Sequence, residues 1–206
     1  MTTMEEGRMR AIIAKLCMSE DGIVDRPERW LPAPALGGVI EELAAGTNTV
    51  LLGRRTYEQY AGSVAGLESV RKLVIASTPV AYHPGSEMLK GDPRRVLTAL
   101  KQIPGPDLHV LGSLGLIRSL LRWRLLDDVS IQIHPVRAGQ GTVLDRRSFK
   151  LVSLCAGQAG TLEAGYKVHY AATGALATVD STARWGGTRR TASVPTSARA
   201  AIRAHA

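Results

Sequence analysis

The chain has 206 residues, 45% of them hydrophobic and 21% charged, which is enough apolar material for one domain with a proper core and at most a tail beside it. No apolar run approaches the roughly 20 residues that cross a bilayer, and MTTMEEGRMR lacks the apolar centre of a signal peptide, so a cytoplasmic protein is expected. The net charge of +8 invites nucleic acid, but from Gly174 onward five arginines face one aspartate, which puts +4 in the last residues and leaves an ordinary +4 for the rest.

Residues 1–8 read as an N-terminal extension to a domain spanning 9–173. Ala11 to Met18 is a first strand, and Leu36, Val39, Ile40, Leu43 and Ala44 then fall on one face of a helix. Thr49 to Leu52 is a second strand, Arg54 to Tyr60 a short helix, Lys72 to Ala76 a third strand and Glu87 to Leu89 a short fourth. Asp92 caps the next helix with Pro93 at its first position, and Val96, Leu97 and Leu100 form its buried face. Leu108 to Leu111 is a strand that Gly112 breaks, and Leu114, Ile117, Leu120 and Leu121 mark another amphipathic helix.

In VSIQIH, Val129, Ile131 and Ile133 alternate with Ser130, Gln132 and His134, so this strand is expected to bury one face and present polar groups on the other. Lys150 to Ala156 and Gly165 to Ala171 follow without a helix between them and suit two antiparallel strands. Cys17 and Cys155 sit in strand-like runs without metal-ligand spacing and read as free buried thiols, with no metal site. Residues 174–206 read as a disordered basic tail. The alternation predicts an α/β fold, a three-layer sandwich whose mostly parallel central sheet has an antiparallel C-terminal edge and helices on both faces.

In such a sheet, ligands bind beyond the carboxyl ends of the strands. Three corners there carry chemistry. In LLGRRTYE, Gly53 lets backbone approach a ligand, Arg54 or Arg55 can fork onto a phosphate, and Thr56 adds a hydroxyl; the same residues also suit a capped helix with solvated arginines. VLGSLGL repeats strand, glycine and helix, with Gly112 and Gly115 flanking Ser113 and Leu114. It lacks the full dinucleotide fingerprint G-x-G-x-x-G, so a Rossmann fold is not supported. In VIASTP, Ser77 and Thr78 offer hydroxyls to a ribose or phosphate, or make a simple turn.

With SEDG at 19–22 and LDDVSIQIHPVRAGQG at 126–141, these corners, in this order, resemble the dihydrofolate reductase superfamily, and more closely the branch containing the reductase C-terminal domain of bacterial riboflavin biosynthesis. The resemblance covers Met9 to about Thr173. It implies an NADPH-dependent reductase and a homodimer. Arg54 and Thr56 would take the 2′-phosphate and pyrophosphate side, Ser77 and Thr78 the adenosine end, and Gly112, Ser113, Leu114 and Gly115 the pyrophosphate. Backbone groups of Cys17 and Val24 would meet the nicotinamide carboxamide.

Many members carry Ser-Arg-Thr where this chain has Ala76-Ser77-Thr78, which leaves the choice of NADPH over NADH open. Pro34 stands where dihydrofolate reductases carry the pterin-binding acid, so folate reduction is not expected and a C=N or C=O bond of a small heterocyclic or glycosylamine-like substrate is. For that substrate, Gln132 resembles a pocket-lining residue and Trp30 a residue of a mobile loop or a packing group. Asp21 and His134 are the catalytic candidates, against a turn-forming Asp-Gly and a histidine satisfied by its neighbours. A catalytically silent ligand-binding regulator of the same fold, and nucleic-acid binding through the arginine tail, are the other readings.

Overall fold

The computed structural model describes residues 9–44, 49–62 and 70–170; the expected N-terminal extension, the boundary near Thr173 and the basic tail lie outside them. Eight strands form one sheet: β1 (Ile12–Ser19), β2 (Thr49–Gly53), β3 (Arg71–Ile75), β4 (Ser86–Met88), β5 (Leu108–Leu111), β6 (Asp128–His134), β7 (Phe149–Ala156) and β8 (Leu162–Val168). Their order is β4-β3-β2-β5-β1-β6-β8-β7. All pairings from β4 to β6 are parallel, and the β6–β8 and β8–β7 pairings are antiparallel.

Helices α1 (Ala33–Ala44) and α2 (Arg54–Tyr60) cover one face, where Leu36, Ile40 and Tyr57 pack with Val50, Leu52, Val74 and Leu111. Helices α3 (Pro93–Gln102) and α4 (Leu114–Trp123) cover the other, where Leu97, Leu116, Ile117 and Leu120 pack on Ile12, Ala14, Leu16, Val129 and Ile131. This is the expected three-layer α/β sandwich. Asp92 caps α3, its carboxylate accepting from Arg95 N at 2.8 Å, with Pro93 at the first turn.

Two strand expectations change. β8 begins at Leu162 rather than Gly165 and ends at Val168, because its register is set by pairing with β6 from Ile133↔Leu162 to Asp128↔Lys167, and a tight turn at Gln158–Gly160 starts it early. The polar side of β6 is not presented to solvent: Gln132 and His134 are only 5% and 7% exposed, since helices and loops cover both sides of a sheet of this kind. Cys17 is buried as expected, but Cys155 is exposed, because β7 is the sheet edge and no layer among the described residues covers its outer side.

Candidate functional site

The sheet splits where the chain order reverses. β1 pairs with β5 only as far as Lys15↔Leu111, with Gly112 N donating to Lys15 O, whereas its pairing with β6 runs on to Ser19↔His134. Leu108 N donates to Ala11 O on the β5 side of β1, and alternate residues of a strand aim their backbone groups the same way. Ala11, Ile13, Lys15 and Cys17 therefore all point toward β5, and Cys17 does so beyond the point where β5 has turned away into α4. Its N–H and C=O are left facing the gap, as the topology of such sheets predicts for a ligand crevice.

A continuous groove of about 900 Å³ runs along this gap, within the range of ligand and cofactor sites. Cys17, Val24, Gly53, Arg54, Thr56, Ser77, Gly112, Ser113, Leu114 and Gly115 all line it. Among its described lining residues Lys15, Arg26, Arg54, Arg55 and Arg118 oppose Asp25 and Glu28, so the groove favours an anionic guest.

The first two corners are physically joined. Gly53 N donates to Ser113 Oγ at 2.8 Å, and Ser113 Oγ–H donates to Thr56 Oγ1 at 2.9 Å. Gly112 and Ser113 both hold left-handed backbone, φ 56° and 54°. Glycine takes that conformation freely, whereas for serine it costs about 1–2 kcal/mol, a strain that persists where neighbours hold it and that concentrates at functional sites. The two hydrogen bonds hold Ser113 there. A Cβ on Gly53 would sit 3.3 Å from Ser113 Oγ, so glycine is what allows the rims to approach. At the mouth, Arg54 donates to Glu58 (2.7 Å) and to Thr78 Oγ1. Thr78 is thus a support for Arg54 and is not itself part of the groove wall.

Beneath the groove, burial lowers the pKa of Lys15 and takes that of His109 down to about 4, with the Lys15 charge as the second cause. Burial likewise pushes the Cys17 thiol up to about 12, so it stays protonated and its contribution here is its backbone.

Besides Thr78, four expected site residues lie elsewhere. Asp21 accepts from Ser19 Oγ (2.6 Å), Ala138 N (3.0 Å) and Gly139 N (2.8 Å), and these bonds depress its pKa to about 2. It fastens the loop after β1 to the loop after β6. His134 Nε2 lies at hydrogen-bond distance, 3.1 Å, from Gln132 Oε1, and the Trp30 ring packs against His134 at 6.2 Å between centroids while its Nε1 donates to Asp25 O. None of Asp21, Trp30, Gln132 or His134 lines the groove.

Residues that the sequence reading passed over do line it, among them Lys15, Glu28, Tyr60 and Arg118. Lys15 had a local signal, a single cation inside the apolar run IIAKLCM. Glu28 and Tyr60 had none, since they meet only across the folded chain.

The family profile described as RibD C-terminal domain matches residues 10–162. No curated protein matches the chain. Among solved structures, a putative riboflavin biosynthesis protein from Shewanella sp. PV-4 superposes with a TM-score of 0.57 at 16% identity, covering 78% of this chain and 99% of that one. Dihydrofolate reductase from Enterococcus faecalis, complexed with NADP(H), gives 0.56 at 17% identity over 78% and 98%, and that of Schistosoma mansoni 0.54 at 15% over 79% and 100%. At these identities the likeness is one of fold.

Proposed function

The chain belongs to the RibD C-terminal domain family, and from that premise we propose that it is an NADPH-dependent reductase acting in the cytoplasm on a C=N or C=O bond of a small heterocyclic or glycosylamine-like substrate. The observation that carries this reading is the single groove joining the corners at Gly53, Ser77 and Gly112, with Arg54 at its mouth. An elongated, phosphate-bearing guest fits that donor set. Arg54 would grip a terminal phosphate through the guanidinium nitrogens that Glu58 and Thr78 leave over. The hydroxyls of Thr56 and Ser77 and the backbone of Gly112 to Gly115 would line the rest of its length.

Val24 N donates to Thr142 O at 3.0 Å, so on that side the Val24 carbonyl, with the open backbone groups of Cys17, would meet a carboxamide. When bound, NADPH supplies the hydride; the chain's own part is to hold both partners and keep water away. Leu16, Leu36, Ile40 and Leu52 provide the apolar wall for this.

The test is a fluorescence titration with NADPH and NADH of the intact protein and of Arg54→Ala. Tight NADPH binding that weakens about tenfold or more in the variant supports the assignment. Equal affinities for both proteins would leave Arg54 a solvated helix residue.

For assembly, the resemblance suggests a homodimer, and Leu151, Val152 and Leu154, 49–57% exposed on edge strand β7, offer a second copy both apolar surface and unpaired backbone. Sedimentation of wild type and Leu154→Lys decides this: a dimer that becomes a monomer supports it, and a monomeric wild type ends it.

A further inference from the structure

Helix α2 is fastened to residues 76–85, the segment that joins β3 to β4. Tyr57, 1% exposed, donates from Oη to Ala81 O at 2.8 Å and accepts from His83 N at 3.0 Å. Lys72, equally buried, donates from Nζ to Pro84 O at 3.1 Å. Held from the core side in this way, the segment brings Thr78 to a fixed place beside the first residue of α2, Arg54.

Arg54 donates from Nε to Glu58 Oε1 at 2.7 Å and from Nη1 to Thr78 Oγ1. Two of the five N–H groups of the guanidinium are thereby taken. The side chains of Arg54 and Glu58 are 53% and 44% exposed, and Thr78 is exposed, so these bonds add little to stability. Their effect is to aim the guanidinium. An arginine ordered in advance spares a ligand the loss of its rotamer freedom.

The two bonds act on an incoming anion in opposite directions. A carboxylate can hold a guanidinium by two parallel bonds, which closes the fork that a phosphate uses and cancels the charge that attracts it. Glu58 stands at Nε, ready for that pairing. Thr78, a neutral acceptor, holds Nη1, so the guanidinium does not turn its whole edge to Glu58.

We propose that Glu58 and Thr78 set the cofactor choice of this groove through Arg54: the carboxylate competes with a 2′-phosphate for the guanidinium, and Thr78 is the positioning residue that keeps the fork open. The inference rests on the reductase reading, which puts that phosphate at Arg54. It makes the preference for NADPH over NADH a balance between two residues that do not line the groove.

The test titrates NADPH and NADH into the intact wild type, Glu58→Gln, Thr78→Val, Thr78→Ser, Arg54→Ala and the double variant Arg54→Ala with Thr78→Val. NADH lacks the 2′-phosphate, so a merely structural change moves both affinities together and leaves their ratio alone. Glu58→Gln keeps an acceptor at Nε without its charge and should raise the ratio in favour of NADPH about threefold. Thr78→Val should lower it about fivefold, and Thr78→Ser should restore it. Once Arg54 is alanine, Thr78→Val should have no further effect. A ratio unchanged in either Glu58→Gln or Thr78→Val, or a Thr78→Val loss that persists without Arg54, overturns the assignment; NADPH binding that still weakens in Arg54→Ala then leaves the cofactor reading standing. A wild type that binds neither cofactor removes both.

Discussion

The rim formed by Gly53, Thr56 and Ser113 and the cluster formed by Trp30, Gln132 and His134 use the same kinds of polar group, and both stand at the carboxyl ends of strands of the same sheet. The rim spends its internal hydrogen bonds on shape: Ser113 ties two loop corners together, and Arg54 and the Gly112–Gly115 corner beside it line the groove. The cluster spends its hydrogen bonds within the fold, with His134 on Gln132 and the indole N–H on the Asp25 carbonyl, and Gln132 and His134 are buried. A polar side chain becomes a site only where the fold leaves it both a fixed position and unused bonding capacity aimed at open space.

That contrast can be broken by mutating each side. The largest effect should come from the closed cluster: His134→Ala removes a buried ring from beneath Trp30 and one polar partner of Gln132, so stability should fall by about 2–4 kcal/mol in denaturant unfolding, with NADPH affinity nearly unchanged. Loss of NADPH binding without loss of stability would move His134 into the site. Arg54→Ala should show the mirror image. Its pair with Glu58 is about half exposed and contributes under about 0.5 kcal/mol to stability, while cofactor affinity falls about tenfold or more.

Ser113→Ala touches both properties, leaving Gly53 N without its acceptor, and should cost about 1 kcal/mol together with a several-fold loss of NADPH affinity. The smallest effect is confined to acid. The pKa of Asp21, about 2, lies below the usual 3.8, so the stability its three hydrogen bonds supply is complete above the usual value and is lost as pH falls toward 2. In Asp21→Asn the acid limb of the stability curve should be shallower over that window, and an identical curve would show that the carboxylate does not anchor the loop.

Most of the layer structure was legible from local pattern. The Asp92–Pro93 start of α3, the period of α4 and the glycine break after β5 each state their conformation within a few residues, and the structure agrees. The corners themselves were legible for the same reason, since a strand-to-helix junction is a local event, and Gly53, Arg54, Thr56, Ser77 and Gly112 to Gly115 line one groove. Thr78 was misplaced by one step, because only the folded chain shows that its hydroxyl goes to Arg54. The alternation in β6 identified its two faces correctly but could not say that the second would be covered, because covering depends on Trp30 and the loops around it, more than 100 residues earlier in the chain.

By itself, then, the order of residues determined the elements, their period and the three strand ends suited to an anion, because backbone preference and side-chain spacing act over a handful of neighbours. Only the tertiary structure decided which polar groups keep bonding capacity for a guest. It closed Asp21, Gln132 and His134 onto partners of their own and brought Glu28 to Tyr60 across 32 residues, and whether a hydrogen bond is already taken is a property of the whole fold.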